Sequence, residues 1–258
     1  MKEAATSKFK AILEDIGTYA LFFASFFRNI FNGGFEWNEL IRQCYLIGVK
    51  SLKIVLITGF VLGFVLTLQS LPTLKQFGAE GYVPNMVAIS IIREIGPVII
   101  SLICAGKIAS GIGAELGSMK VTEQIAAMDV SGANPIQYLL VTRILACTLT
   151  IPLLVLFGDV LSLFGGYLSN NLSGSMTAKL YFNKSFASLA FSDFLPALVK
   201  TYLFGFIIGF IGCYKGYHAD RGTESVGIAA NSAVVSASIW IIIIDALAVE
   251  ITSAFVYN

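Results

Sequence analysis

Residues 54–74 read IVLITGFVLGFVLTLQSLPTL, a run of 21 consecutive residues without a charged side chain. The hydrocarbon core of a bilayer is about 30 Å thick, and a helix needs roughly 20 apolar residues to cross it. The run lies between Lys53 and Lys75. It therefore predicts a membrane-spanning helix.

Four further segments have the same character, each interrupted by one or two charged residues: 84–106, 144–168, 194–214 and 226–250. Of the 258 residues 56% are hydrophobic and 13% are charged, whereas about 25% are charged in a soluble domain. The 17 Lys and Arg against 16 Asp and Glu leave no basic excess, which argues against nucleic-acid binding. The sequence predicts an all-α integral membrane protein with five transmembrane helices.

Five is an odd number, so the two termini are predicted to lie on opposite sides of the membrane. With the N-terminus inside, the inner segments hold 12 of the 17 Lys and Arg, and the outer segments and outer halves of the helices hold 5. Cytoplasmic segments carry the excess of basic residues. We therefore expect a cytoplasmic N-terminus and a periplasmic C-terminus.

The chain before the first membrane helix has a different pattern. Over residues 7–31, large apolar side chains recur every three or four positions, with charged residues among the others. This pattern predicts an amphipathic helix lying in the inner membrane interface, ended by Asn32, Gly33 and Gly34. A second short segment, Trp37 to Lys50, leads into the first membrane helix. Residues 1–50 thus form interfacial or elbow helices, and 51–258 form the five-span region.

Charged residues inside membrane helices are costly, and they usually face a cavity or a partner. Arg93 and Glu94 are adjacent, and neighbours on a helix point about 100° apart, so the pair cannot simply neutralise itself. Pro97 lacks an N–H and predicts a bend or the end of a turn. This combination indicates a site for a polar or amphiphilic substrate. The alternative is a structural ion pair with Asp159 or Asp245.

The inner loop between the second and third membrane helices predicts a short helix. Thr122 is expected to cap it, residues 123–129 to form it, and Gly132 and Pro135 to stop it. It is too short and too polar to span a membrane. Its predicted exposed surface combines two acidic and two apolar side chains, namely Glu123, Asp129, Ile125 and Met128. Such a surface could dock on a soluble partner.

Sequence motifs for catalysis and metal binding are missing. The chain has no HExxH, no GxSxG and no phosphate-binding GxxxxGK[ST], so it is not predicted to hydrolyse ATP or to be an enzyme. The four cysteines are widely spaced in apolar runs, which indicates packing rather than a metal site or disulfides. Four GxxxG pairs favour close helix contacts, within one chain or between two chains: Gly59/Gly63, Gly113/Gly117, Gly205/Gly209 and Gly212/Gly216.

One block of about 40 residues resembles a known family. It reads REIGP at 93–97, AGKIAS at 105–110, GAELGSMKVTEQI at 113–125 and AM at 127–128. This block closely resembles the signature of MlaE-type permeases, the membrane subunits of ABC transporters that work with MCE proteins on phospholipids in Gram-negative bacteria. The hydropathy layout agrees over the whole chain, which is then a single permease domain, 1–258.

The resemblance implies a function and partners. The expected function is phospholipid movement between the inner and outer membranes, which maintains outer-membrane lipid asymmetry. The expected assembly is a permease homodimer in the inner membrane, with two cytoplasmic ATPase subunits that bind ATP and Mg, and a periplasmic MCE hexamer. No cofactor is expected in this chain itself.

The resemblance also implies roles for particular residues. Arg93 and Glu94 would lie near a lipid cavity at the dimer interface, and 118–131 would be the coupling helix received by the ATPase. The residues assigned to the lipid pathway are Arg93, Glu94, Pro97, Asp159 and Asp245. Those assigned to ATPase coupling are Lys120, Thr122, Glu123, Gln124, Ile125, Met128 and Asp129. Family members often carry an acidic residue where this chain has Ala126, so contacts there would differ.

Two other classes of protein remain as alternatives. A secondary transporter could use an ion gradient through its intramembrane charges, but it would need internal repeats, and five spans do not divide into two. A non-transporting membrane scaffold would use the same charges only to hold its structure.

Overall fold

The computed structural model describes residues 17–30, 35–174 and 176–256. Over these residues the chain is almost entirely helical and contains no strand. Five helices are long and apolar enough to cross a membrane, so the predicted fold class is confirmed. Each extends beyond the predicted apolar segment: Trp37–Gln76, Glu80–Val121, Ile136–Leu172, Phe191–Tyr217 and Thr223–Val256.

A helix over residues 17–30, α1, precedes the first of these and packs on the fourth. Its Phe22 and Phe26 rings are buried against the aromatic residues of the fourth helix, and Thr18 Oγ1 lies 2.8 Å from Tyr214 Oη. Phe23 and Phe27 remain half-exposed. Residues 7–16 and 31–34 lie outside the described residues, and with them the predicted end at Asn32–Gly34.

The first membrane helix, α2 (Trp37–Gln76), is a single 40-residue helix. The predicted segments Trp37–Lys50 and 54–74 are therefore continuous, and the boundary expected at residue 50 falls inside one helix.

The second membrane helix is made of several segments. A 3₁₀ turn (Glu80–Tyr82) leads into α3 (Val83–Ser90), α4 (Gly96–Cys104) and α5 (Ser110–Val121), which are joined by π turns at Ile91–Ile95 and Ala105–Ala109. The Gly96 N–H donates to the carbonyl oxygen of Ile91, five residues back. Pro97 lies in the first turn of α4, directly after the π turn at Ile91–Ile95, and its missing N–H leaves a gap in the backbone hydrogen bonding of the continuous helix. The irregularity expected at Pro97 is thus a widened turn just before it.

Two short helices connect the remaining spans. On one side α6 (Gln124–Val130) leads to a π turn (Ile136–Val141) and to α7 (Thr142–Leu172). On the other, α8 (Ala178–Ala187) precedes α9 (Phe191–Tyr217), and α10 (Thr223–Val256) follows.

Helix α8 was not predicted from the sequence. The Tyr181 side chain is fully buried, and the Lys184 Nζ donates to the Gly81 carbonyl oxygen at 2.8 Å, which ties α8 to the second membrane helix. Burial raises the pKa of Tyr181 to about 12.

Among the described helices, α2 and α7 approach each other very closely. A Cβ added at Gly59 or Gly63 would overlap the backbone of Gly158 or Ser162, and one added at Gly165 would overlap the Phe60 carbonyl oxygen. The Ser162 Oγ donates to the Gly59 carbonyl oxygen at 2.7 Å. The backbones of the two helices are therefore in direct contact.

The other three GxxxG pairs also pack within the chain: Gly113/Gly117 on α10, Gly205/Gly209 on α7, and Gly212/Gly216 on the second membrane helix. The sequence left open whether these glycines pack within one chain or between two chains. Contact within the chain is observed for every pair.

Candidate substrate and coupling sites

Arg93 and Glu94 both reach α9 from the π turn at Ile91–Ile95. The Arg93 guanidinium lies 2.5 Å from Asp193 Oδ1, and the Lys200 Nζ donates to Glu94 Oε2 at 2.6 Å. Lys200 also donates to Asp245 Oδ1 on α10, at 2.9 Å. These five side chains form one charged cluster, which joins the second, fourth and fifth membrane helices.

The positions on α9 explain how two adjacent residues find separate partners. Asp193 and Lys200 are seven residues apart, which is two helical turns and therefore the same face. Asp193 also accepts the Ala190 N–H at 2.9 Å, so the start of α9 fixes its carboxylate. The expectation that Arg93 and Glu94 need partners beyond each other is consistent with this arrangement.

The charged cluster has a buried side and an open side. The Asp193 and Lys200 side chains are 2% and 6% exposed, whereas Arg93 and Glu94 are 34% and 45% exposed. The cavity between Arg93, Glu94, Asp193 and Lys200 has a volume of about 10 Å³, roughly the space of one water molecule. A lipid head group would enter only if α9 and α10 moved away from the second membrane helix.

The predicted pathway residues fall into two groups. Arg93, Glu94 and Asp245 belong to the charged cluster, but the alternative of a direct ion pair with Asp245 is not observed: Lys200 lies between Glu94 and Asp245 and pairs with both. Asp159 and Pro97 line a second small cavity. The Asp159 carboxylate packs against Gly96, and no hydrogen bond from any described residue reaches its Oδ1. The suggested pairing of Arg93 or Glu94 with Asp159 is not observed; Asp193 takes that place.

Two members of the charged cluster were missed as site residues. Lys200 interrupts an apolar segment, and Asp193 precedes the predicted span by one residue. Their seven-residue spacing was the available signal, because it places an acid and a base on one face of a membrane helix.

The short helix α6 begins one residue later than expected. Thr122 Oγ1 donates back to the Ser118 carbonyl oxygen at 2.8 Å, so Thr122 ends α5 and does not cap α6, and that prediction was wrong. The Glu123 backbone is left-handed, with φ of 59°, and its carbonyl oxygen accepts the Ala127 N–H at 2.9 Å. Gly132, with φ of 82°, ends the helix as predicted.

The surface of α6 also differs from the predicted one in one residue. Glu123, Gln124 and Asp129 are exposed, as is Ala126. Ile125 is only 4% exposed and belongs to the hydrophobic core, so it anchors α6 instead of forming its outer surface. Met128 is partly buried against the same core.

A groove of about 700 Å³ lies between α6 and the connection from α9 to α10. Lys120, Glu123 and Asp129 line one side, and Asp220 and Arg221 line the other. The groove is lined by polar and apolar residues in similar measure and carries both signs of charge, which suits a protein partner more than a lipid.

An ion pair links the helices on both sides of α6. The Arg143 side chain is buried and donates to the Leu139 carbonyl oxygen at 2.9 Å and to Glu115 Oε1 at 2.8 Å. Glu115 lies on α5, and Arg143 lies at the start of α7. A displacement of α6 would therefore act on both membrane helices together.

The five apolar helices and the two polar sites define a multi-pass membrane protein of the permease class. The family model described as "Permease MlaE" matches residues 40–251, and the chain belongs to this family.

Similar proteins agree with this assignment. A probable ABC transporter permease of Rickettsia typhi is 39% identical over 238 residues, 92% of each chain. A probable ABC transporter permease of Pyropia yezoensis is 34% identical over 212 residues, 81% of this chain and 79% of the relative. The chloroplastic protein TRIGALACTOSYLDIACYLGLYCEROL 1 of Arabidopsis thaliana is 31% identical over 216 residues, 84% of this chain and 62% of the relative. This chain is thus the permease subunit of an ABC transporter, not itself the ATPase, and it implies a partner ATPase.

Proposed function

We propose that the chain moves phospholipids between the inner and outer membranes as the permease of an MCE-associated ABC transporter, and so maintains outer-membrane lipid asymmetry. It lies in the inner membrane with its N-terminus cytoplasmic and its C-terminus periplasmic. Family membership supports the transporter class. The name of the Arabidopsis relative contains that of a diacylglycerol lipid, which supports a glycerolipid substrate.

The observation that carries the proposal is the half-open charged cluster within the membrane helices. The Arg93 guanidinium is one-third exposed, and a guanidinium is well suited to phosphate. A phosphate would compete with Asp193 for Arg93, while Lys200 would stay paired with Glu94 and Asp245. The acyl chains would contact the apolar walls of the surrounding helices.

The proposed assembly has three further components. A second permease copy would cover α10, whose apolar surface is largely open, including Ile239, Ile243 and Leu247. Two ATPase subunits, which bind ATP and Mg, would receive α6 in their grooves. An MCE hexamer would lie on the periplasmic side.

In the proposed cycle, closure of the ATPases moves α6. The Arg143–Glu115 ion pair passes this movement to α5 and α7. The second membrane helix then shifts relative to α9 and α10, which opens or closes the charged cluster around a head group.

The test is affinity purification in mild detergent, followed by mass spectrometry of proteins and lipids. We expect an ABC ATPase, an MCE-domain protein and phospholipid to copurify in fixed ratios. An ATPase without an MCE-domain protein or enriched phospholipid would overturn the phospholipid assignment.

A further inference from the structure

Asp159 is a carboxylate without a compensating charge. It lies in the body of α7 and is 8% exposed. Within the described part of the chain no ion pair reaches it and its Oδ1 accepts no hydrogen bond. An isolated carboxylate in a low-dielectric interior is destabilising unless it binds a cation or a proton, so Asp159 contributes nothing favourable to this fold by itself.

Asp159 also lines a larger cavity, of about 470 Å³, between α7, α8 and α9. Four aromatic rings form much of its wall: Phe182, Phe186, Phe191 and Phe194. The rest of the wall is aliphatic, so Asp159 is the single charged group among the lining residues described. We call this cavity the aromatic pocket.

The aromatic pocket opens beside the lipid-facing surface of α7. Three of its lining residues, Val160, Phe186 and Phe191, are largely exposed. A ligand would therefore enter from the membrane, with an apolar part against the aliphatic wall. The volume of the aromatic pocket lies in the range of small-molecule binding sites.

The chemistry of the lining selects the charge of the ligand. Aromatic faces attract ammonium groups, and a buried carboxylate attracts the same groups, whereas both repel an anion. We propose that the aromatic pocket binds the ammonium head group of a membrane lipid, with Asp159 as its counter-ion. It differs from the charged cluster, where the partly exposed guanidinium of Arg93 suits a phosphate.

The test uses the isolated permease in mild detergent. The protein is incubated with an equimolar mixture of phosphatidylethanolamine and phosphatidylglycerol that have the same acyl chains, and native mass spectrometry counts each bound lipid. We expect wild type to retain phosphatidylethanolamine with a preference of about tenfold, which is the range that a cation–π site with a counter-ion provides.

Three variants sharpen the test. Asp159→Asn keeps the side-chain shape and should abolish the preference, and Phe186→Leu should reduce it about threefold. Glu80→Gln removes an exposed carboxylate outside the pocket and should leave it unchanged. The melting temperature of Asp159→Asn should equal or exceed that of wild type, because an uncompensated charge is removed.

Equal retention of both lipids by wild type, or a preference that survives in Asp159→Asn, would overturn the proposal. If Asp159→Asn does not fold, the lipid preference of Phe186→Leu is compared with that of Glu80→Gln. A preference that falls only in Phe186→Leu supports the proposal, and equal preferences in the two variants overturn it. This assay measures lipid binding by the isolated permease. If the assembled complex failed to transport phospholipid, the proposed function would be wrong, but neither of the two overturning results above would follow from that failure.

Discussion

The α2–α7 interface differs from the contact that the π turn at Ile91–Ile95 makes with α9 and α10. Further along the second membrane helix, close packing on these two helices also occurs, at Gly113, Gly212 and Gly216. Along α2 and α7, glycines bring the two backbones into contact. Across the other interface, charged side chains meet at their tips, through Arg93, Lys200 and Asp245. The most apolar stretch of the third span is 56% buried, against 17% for the fifth.

The difference indicates which part of the chain can move. Two helices whose backbones are in contact cannot move apart gradually, because a close-packed interface loses its contacts once a gap opens. Ion pairs through long side chains can break and form again over several ångströms. Two π turns, a feature that often occurs at functional sites, interrupt the second membrane helix, whereas α2 is continuous and the one π turn of the third span precedes α7. We infer that α2 with α7 is the fixed frame and that the charged interface is the movable part.

The largest expected effect follows from crowding the fixed frame. In Gly63→Val the new side chain would overlap the Ser162 backbone, so we expect a loss of about 3 kcal/mol or more in the free energy of unfolding. Monodisperse yield and melting temperature in detergent measure it. The control is Gly111→Ala on α5, where a Cβ meets no neighbour; we expect it to be neutral or slightly stabilising. Equal behaviour of the two variants would contradict a fixed frame.

The next effect concerns the charged interface. Lys200→Met leaves Glu94 and Asp245 without their shared cation, and we expect a loss of about 2 kcal/mol, less than for a fully buried pair because Glu94 is half-exposed. Asp245→Asn should cost less, because Lys200 keeps Glu94. Thermal unfolding in detergent distinguishes the two variants. Identical melting temperatures for wild type and Lys200→Met would show that this interface does not stabilise the chain.

A smaller effect is expected at the coupling surface. Glu123→Lys reverses an exposed charge on α6, so the fold should be unchanged while ATPase binding weakens by about tenfold. We expect hydrolysis by the partner ATPase to lose its stimulation by lipid. The matched control is Glu36→Lys, another exposed charge reversal near the start of α2. Normal copurification and normal lipid stimulation in Glu123→Lys would exclude a coupling role for this residue.

Hydropathy was sufficient to predict the five spans, because only long apolar helices satisfy the bilayer. Hydropathy also indicated Arg93, Glu94 and Asp245 as candidate site residues, since charged side chains at membrane depth usually face a cavity or a partner. Their partner Asp193 could not be predicted, because the pairing depends on how α9 packs against the π turn. Helix α8 was missed because it is short and of mixed polarity.

The start of α6 shows a different limit. Thr122 and Glu123 are adjacent, and the left-handed turn at Glu123 puts Glu123, not Thr122, at the position immediately before the first residue of α6. The same turn sets the rotation of α6 and therefore buries Ile125. A one-residue shift in a seven-residue helix changes which side chains face the partner, and sequence patterns do not resolve such a shift.

The most direct test of the central claim is ATP-dependent phospholipid transfer by the complete reconstituted complex with Arg93→Ala. Arg93 is partly exposed and pairs with Asp193 at the movable interface, so its loss removes the proposed phosphate contact. We expect transfer to fall by about tenfold, the worth of one charge-assisted hydrogen bond, while the complex stays assembled and ATP is still hydrolysed. Unchanged transfer with an intact complex would contradict the claim that the charged cluster lies on the substrate path.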